Sequence, residues 1–185
     1  MAQKRESHLR GVLELVLSIV VAIGIAVFLR TFVIGVYQVP TGSMLETIQE
    51  GDLLVGEKVS LKASSPTYGN VVTFDSPMSP GTTLIKRVIA TAGQTIDLRD
   101  GIVYIDGTAL DEASYTLGKR TESLSSYEGS AGIEYPYTVP ANCVFVMGDN
   151  RTNSLDSRYF GPVSVSAVTS KALFIYWPLS DIRTL

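Results

Sequence analysis

The chemistry available to this chain centres on one serine and one lysine. Ser43 sits in Tyr37-Gln38-Val39-Pro40-Thr41-Gly42-Ser43-Met44, and Lys86 in Thr83-Leu84-Ile85-Lys86-Arg87-Val88-Ile89-Ala90. A serine hydroxyl becomes a nucleophile only beside a base, and the usual base is histidine. The single histidine, His8, precedes the long apolar run of the chain. On a membrane-spanning reading of that run, His8 lies on the opposite side from everything downstream. Any base for Ser43 must then be another residue type, and Lys86 is the best candidate.

The neighbours of each residue suit that role. Pro40 fixes a bend and removes an amide donor, and Gly42 allows the backbone to approach another group closely. A serine after such a turn can be presented at the head of a cleft. Its own amide, with the Thr41 hydroxyl as a second donor, would stabilise an oxyanion. An ordinary turn in which Ser43 caps a helix fits the same residues. Strand alternation places Leu84, Lys86 and Val88 on one face and Ile85, Arg87 and Ile89 on the other. An amine flanked by Leu and Val is desolvated, which lowers its pKa toward the range a general base needs. The competing reading is an edge-strand lysine that discourages aggregation.

A third segment, Met147 to Arg158, packs two acids, two arginines, two asparagines and two serines into a turn-rich stretch. Asp149, Arg151 and Asn153 alternate as calcium-loop ligands do. The central glycine is missing, however, and Phe160 stands where the bidentate glutamate belongs, so an EF-hand is rejected. A solvated loop is one reading. The other is a hydrogen-bonded scaffold, with Asp156 held by Arg158 or Arg151 and Ser154 orienting the lysine amine.

The elements that must position these residues follow from pattern and length. The chain has 185 residues and a net charge of −3, with no basic cluster after the first ten residues, which disfavours nucleic acid as a partner. Cys143 is the single cysteine, so no internal disulfide and no Cys/His metal set exists; a buried structural thiol is expected. Gly11 to Leu29 is apolar but for Glu14, and 19 helical residues span roughly 28 Å, close to the ~30 Å of bilayer hydrocarbon. Lys4, Arg5 and Arg10 precede it, and after Arg30 the next cation is Lys58. That asymmetry predicts a cytoplasmic N-terminus (1–10), an anchor over 11–30 and an extracytoplasmic domain over 31–185. The bulky Leu29-Arg30-Thr31-Phe32-Val33-Ile34 that follows lacks a small-x-small site, which favours an anchor over a cleaved signal.

Beyond the anchor, helix periodicity is scarce. Short β-rich runs appear at Val36–Val39, Leu53–Val59, Asn70–Phe74, Thr83–Ala90, Thr95–Leu98, Ile102–Ile105, Cys143–Met147 and Ala172–Trp177. Asp100-Gly101 reads as a hairpin turn and Asp106-Gly107 as the next. The expected fold is mostly β, a folded-sheet or barrel-like domain. Thr108 to Pro140, polar and rich in Ser, Tyr and Gly, reads as an inserted surface excursion, with room for a small hairpin.

Taken in order, these segments resemble the type I signal peptidases of bacteria. The resemblance rests on Pro40-Thr41-Gly42-Ser43-Met44, Gly69 to Phe74, Ile85-Lys86-Arg87-Val88-Ile89, Gly148-Asp149-Asn150-Arg151, Ser154 and Asp156-Ser157-Arg158. Lys171-Ala172 and Tyr176-Trp177-Pro178 add to it. The family implies a Ser–Lys dyad protease that removes signal peptides from exported preproteins after small residues, at Ala-x-Ala sites, with no metal or cofactor. Ser43 would be the nucleophile and Lys86 the base. Thr41 would take the place of a family serine in the oxyanion hole, Ser154 would orient the amine, and Asp156 and Arg158 would support the dyad. Tyr37, Val39, Pro40, Met44, Leu84 and Ile85 would line the shallow substrate pockets. The expected partners are signal peptides and the lipid bilayer, with Phe32, Val33, Ile34 and Tyr37 exposed toward it and the chain active as a monomer. Glu46, Ile48, Asn70, Ala90, Ala92 and Gln94 depart from the family pattern at positions away from the chemistry. A self-cleaving Ser–Lys protease and a tethered peptide-binding β module are the rival readings.

Overall fold

The computed structural model describes residues 2–185, with side chains from Arg10 onward. Lys4, Arg5 and His8, read as cytoplasmic flank, lie outside the residues whose side chains are described. The elements in chain order are α1 (Ala2–Phe32), β1 (Ile34–Gln38), β2 (Leu53–Glu57), β3 (Val71–Asp75), β4 (Thr83–Thr91), β5 (Thr95–Arg99), β6 (Ile102–Ile105), β7 (Thr108–Ala109), α2 (Ala113–Thr116), β8 (Tyr137–Thr138), β9 (Cys143–Met147), α3 (Ser157–Phe160), β10 (Val163–Ser164), β11 (Val168–Trp177) and β12 (Arg183–Thr184).

From Arg10 to Phe32 every side chain of α1 is exposed. An apolar helix uncovered by protein is stable where lipid covers it, which fits a membrane anchor. The helix hands over directly to the sheet. Val33 N donates to the Leu29 carbonyl, Lys58 N to the Val33 carbonyl, and Lys58 Nζ to the carbonyls of Arg30 and Thr31 at 3.1 and 3.3 Å. Phe32 and Val36 are exposed at this junction, but Val33, Ile34 and Tyr37, expected on the surface, are half-buried because they open the sheet.

All eight expected strand runs form strands. The main sheet has eight antiparallel strands in the order β1-β2-β11-β3-β4-β9-β10, with β12 added on β11. The smaller sheet runs β7-β6-β5-β8. Asp100-Gly101 and Asp106-Gly107 both have positive φ, at 51° and 79° and at 51° and 81°, as two-residue hairpin turns require. Neither sheet closes on itself, so of the two forms expected, a folded sheet or a barrel-like one, the folded sheet is what forms. Register shifts in β11 (Val168/Ser170, Ala172/Phe174, Ile175/Trp177) and in β4 (Val88/Ala90) mark bulges. Bulges bend a strand and increase its twist. The main sheet therefore coils until β1 and β4 wall a common cavity, yet remain unpaired across it.

Three apolar groups hold this shape. Val39, Met44, Ile48, Leu54, Val71, Ile85 and Ile175 fill one side of the main sheet. Val72, Phe74, Val88, Val144 and Val146 fill the other. Ile89, Phe145 and Met147 pack against Ile96 and Val103 of the smaller sheet. Alternate residues of β9 thus serve two cores, which makes it the hinge of the two sheets. The segment 108–140, expected as a surface excursion, supplies β7, α2 and β8 and buries Ile133 and Val139 in the third core.

Candidate active site

Ser43 follows Thr41, whose backbone is extended (φ −139°, ψ 152°), in a single 3-10 turn over Gly42–Met44. The turn is pinned from below by Met44, 1 % exposed in the first core. β4 pairs with β3 along Thr83–Arg87 but with β9 only from Arg87 onward, so the strand has an unpaired side at Lys86, whose side chain is nevertheless buried rather than a solvated edge lysine. Leu84 and Val88, its neighbours on the same strand face, pack together in the second core. Lys86 is 3 % exposed, and its Nζ donates to Ser43 Oγ at 2.7 Å and to the Ile85 carbonyl at 3.0 Å. Burial pushes the amine down to about 8. The Asp156 and Asp149 carboxylates pull the other way, and the Arg158 guanidinium adds to the fall.

Both residues face a cavity of about 290 Å3 lined by Val36, Tyr37, Gln38, Val39, Pro40, Thr41, Met44 and Thr82 to Lys86. All six residues expected to line a pocket are there, as is Thr41. The lining is largely apolar and comes from two extended segments, 36–39 and 82–86.

Behind the dyad, residues 148–158 are tied together by hydrogen bonds and a buried ion pair. Asp156 and Arg158 are fully buried and paired, Nε to Oδ1 and Nη2 to Oδ2, both at 2.8 Å. Asp156 also accepts from the Gly148 and Arg158 amides. Arg158 further donates to the carbonyls of Glu122 and Arg151. Burial pushes the Asp156 carboxyl up, but the Arg158 guanidinium and the Gly148 amide outweigh it and hold it below the usual carboxylate range. A Cβ on Gly148 would stand 2.4 Å from both the Ser43 carbonyl oxygen and Ser154 Oγ. Only glycine fits where this loop passes the serine.

Ser154 departs from expectation. Its Oγ is buried without a hydrogen-bond partner, and the amine's second contact is the Ile85 carbonyl. Asp149, Arg87, Glu112 and Asn150 have no individual role in the sequence reading, and Arg151, one of two partners expected for Asp156, pairs with Glu112 instead. Asp149 accepts from Arg87 Nε and Nη2 at 2.8 and 2.6 Å, and Glu112 accepts from Arg151 Nη1 and Nη2 at 2.8 and 2.5 Å. The Arg87 guanidinium lies 4.4 Å from the Tyr115 ring centroid. Asn150 bonds both peptide groups flanking Ser43: its N donates to the Ser43 carbonyl at 3.1 Å and its Nδ2 to the Gly42 carbonyl at 2.9 Å. The only sequence signal for these contacts was the density of charge in 147–158. Among the described residues no group of three or more His, Cys, Asp or Glu side chains is placed to hold a metal ion.

The model of the family described as signal peptidase, peptidase S26, matches residues 12–177. The chain belongs to the signal peptidase family. That makes it a hydrolase, a serine endopeptidase. Among its relatives, a probable signal peptidase I-1 of Synechocystis is 38 % identical over 169 residues, spanning 88 % of this chain and 81 % of that protein. A signal peptidase I of Leptolyngbya laminosa is 32 % identical over 96 % of this chain and 83 % of its own length. For a signal peptidase I of Bacillus caldolyticus the figures are 32 %, 87 % and 89 %.

Proposed function

We propose that this signal peptidase removes signal peptides from exported preproteins, with Ser43 as nucleophile and Lys86 as base. The observation that carries the reading is the 2.7 Å contact between Ser43 Oγ and a buried amine whose pKa is pushed to about 8. The contact serves proton transfer in both directions. As neutral amine, Nζ accepts the Ser43 proton while Oγ bonds to the scissile carbonyl carbon. As ammonium, it returns that proton to the leaving amine when the C–N bond breaks. Water then attacks the acyl ester, again with Lys86 as base. The oxyanion rests on the Ser43 amide and the Thr41 hydroxyl.

Substrate form follows from the open sheet. The unpaired edges of 36–39 and 82–86 face one another across the cavity, and an extended peptide laid between them completes both by β-augmentation. Alternate side chains of that peptide then point into the apolar lining. This supports small residues at the first and third positions before the cleaved bond, an Ala-x-Ala site. The exposed α1 supports a site close to the bilayer: Ser43 is 14 residues beyond Leu29, at most about 46 Å along the chain. Lys4, Arg5 and Arg10 support an N-terminus in the cytoplasm and the sheets outside.

The test is cleavage of a preprotein by the detergent-solubilised full chain. Cleavage after Ala-x-Ala is expected, with kcat/KM reduced about 100-fold or more when either Ala becomes Phe, since an apolar pocket discriminates by about 10–200-fold per small size step. Equal cleavage of the Phe variants would refute the assigned specificity.

A further inference from the structure

We infer that Lys119 and Asn150 form a relay that aims and polarises the oxyanion-binding amide of Ser43. The inference rests on the dyad proposed above. The peptide group joining Gly42 to Ser43 carries the Gly42 carbonyl at one end and the Ser43 N–H at the other. Because that unit is planar, fixing its carbonyl fixes the direction of the N–H. Asn150 Nδ2 donates to that carbonyl at 2.9 Å, and Asn150 N donates to the next carbonyl, that of Ser43, at 3.1 Å. One residue, 6 % exposed, therefore holds the peptide planes on both sides of the nucleophile.

Lys119 decides which way the Asn150 amide faces. Its Nζ lies 3.0 Å from Asn150 Oδ1. An ammonium has donors and no acceptor, so the amide oxygen must face it and the NH2 must face Gly42. Thr152 Oγ1 donates to the same oxygen at 3.4 Å. The arginines around this site each have a carboxylate: Arg87 with Asp149, Arg151 with Glu112, Arg158 with Asp156. Lys119 has no carboxylate partner among the described residues; its side chain bonds to this amide. A cation at one end of two linked amides polarises both, and each hydrogen bond in such a chain strengthens the next. The Ser43 N–H at the far end becomes a better donor to developing negative charge. Lys119 belongs to the turn after α2, its N bonded to the Thr116 carbonyl at 3.1 Å. Glu112, Tyr115 and Thr121 clamp that segment to Arg151 and Arg87. The segment 108–140 thus reaches the chemistry through one ammonium. Lys119 and Asn150 are positioning residues.

The test compares the full chain with Lys119→Met, Lys119→Arg and Asn150→Asp, using one cleavable peptide and one peptide aldehyde ending at the scissile position. The aldehyde carbon takes the Ser43 Oγ, its oxygen becomes the oxyanion, and the serine proton passes to Lys86. Lys119→Met should lower kcat about tenfold, the worth of one hydrogen bond, with KM within about twofold. Aldehyde affinity should fall by the same factor, with the melting temperature and the midpoint of the pH–rate curve unchanged. Lys119→Arg should restore kcat to within about threefold, because a guanidinium keeps the charge and the donors. Asn150→Asp keeps an acceptor for Lys119 but has no NH2 for Gly42, so it should lose at least as much as Lys119→Met. An unchanged kcat in Lys119→Met, or a loss shared equally by KM and melting temperature with aldehyde affinity intact, would overturn the relay. If Ser43→Ala still cleaves, the dyad itself fails; if Ser43→Ala is dead while Lys119→Met is fully active, only the relay does.

Discussion

A proton is the mildest perturbation of this site, and the structure says what it should do. Lys86 is buried beside Ser43, and burial pushes its pKa from an ordinary 10.5 to about 8. The neutral amine is the base, so its fraction is about 1 % at pH 6, 10 % at pH 7, half at pH 8 and 90 % at pH 9. The acid limb of kcat/KM should rise about tenfold per pH unit, bend near 8 and flatten by about 9. The same burial has a stability consequence of defined sign. The folded pKa lies below the unfolded one, so the cost of the buried ammonium is fully present below pH 8. It is relieved as pH rises from 8 toward 10.5. At about 1.4 kcal/mol per decade the cost is roughly 3 kcal/mol. Lys86→Met keeps the apolar stem and removes the charge, so at pH 7 it should be inactive and yet up to about 1 kcal/mol more stable, once about 1 kcal/mol is set against each of the lost bonds to Ser43 Oγ and the Ile85 carbonyl. The assays are hydrolysis of a labelled peptide from pH 5.5 to 10 and urea unfolding of both proteins at pH 7. An acid limb still climbing above pH 10, or an inactive Lys86→Met that is several kcal/mol less stable, would refute the desolvation argument.

Other outcomes follow from the surroundings of the dyad. Asp156→Asn leaves Arg158 buried without its carboxylate and should cost about 3–5 kcal/mol in denaturant unfolding; a loss under 1 kcal/mol would mean that the pair is not a support. Gly148→Ala drives a methyl against the Ser43 carbonyl. It should reduce kcat at least tenfold in steady-state assays, and unchanged kcat would show that the loop yields freely. Thr41→Val removes one oxyanion donor at constant shape and should lower kcat about 10²–10³-fold; near-normal kcat would remove Thr41 from that role.

Much of the scaffold was legible because it is written in local patterns. β4 is a nine-residue run rich in β-branched and apolar residues, and the Asp-Gly pairs state their turns outright. The four two-residue strands β7, β8, β10 and β12 are too short to show any period. The open sheet was not legible either, since closure depends on bulges in β11 and β4 that no alternation announces. Around the site, Ser43, Thr41, Lys86 and the pocket residues share short segments with recognisable turns or strands. Asn150, Lys119, Glu112 and Arg151 act through polar contacts between residues 31 to 108 positions apart, and such contacts leave no periodic trace. That is also why 108–140 looked like a surface excursion. Most of its residues are exposed, and only a few polar ones, Glu112, Lys119 and Thr121, turn inward to the loop behind the nucleophile. Ser154 shows the reverse case: a plausible residue in a plausible place whose hydroxyl makes no bond to the amine.

The most direct test of the Ser43–Lys86 dyad is cleavage of an Ala-x-Ala preprotein by the detergent-solubilised chain beside Ser43→Ala and Lys86→Met. The account expects cleavage at that site by the native chain, with rapid acid quenching and mass spectrometry finding the substrate acyl group on Ser43. Both variants should be silent. Cleavage that survives either substitution, or an acyl group found on another residue, would contradict it.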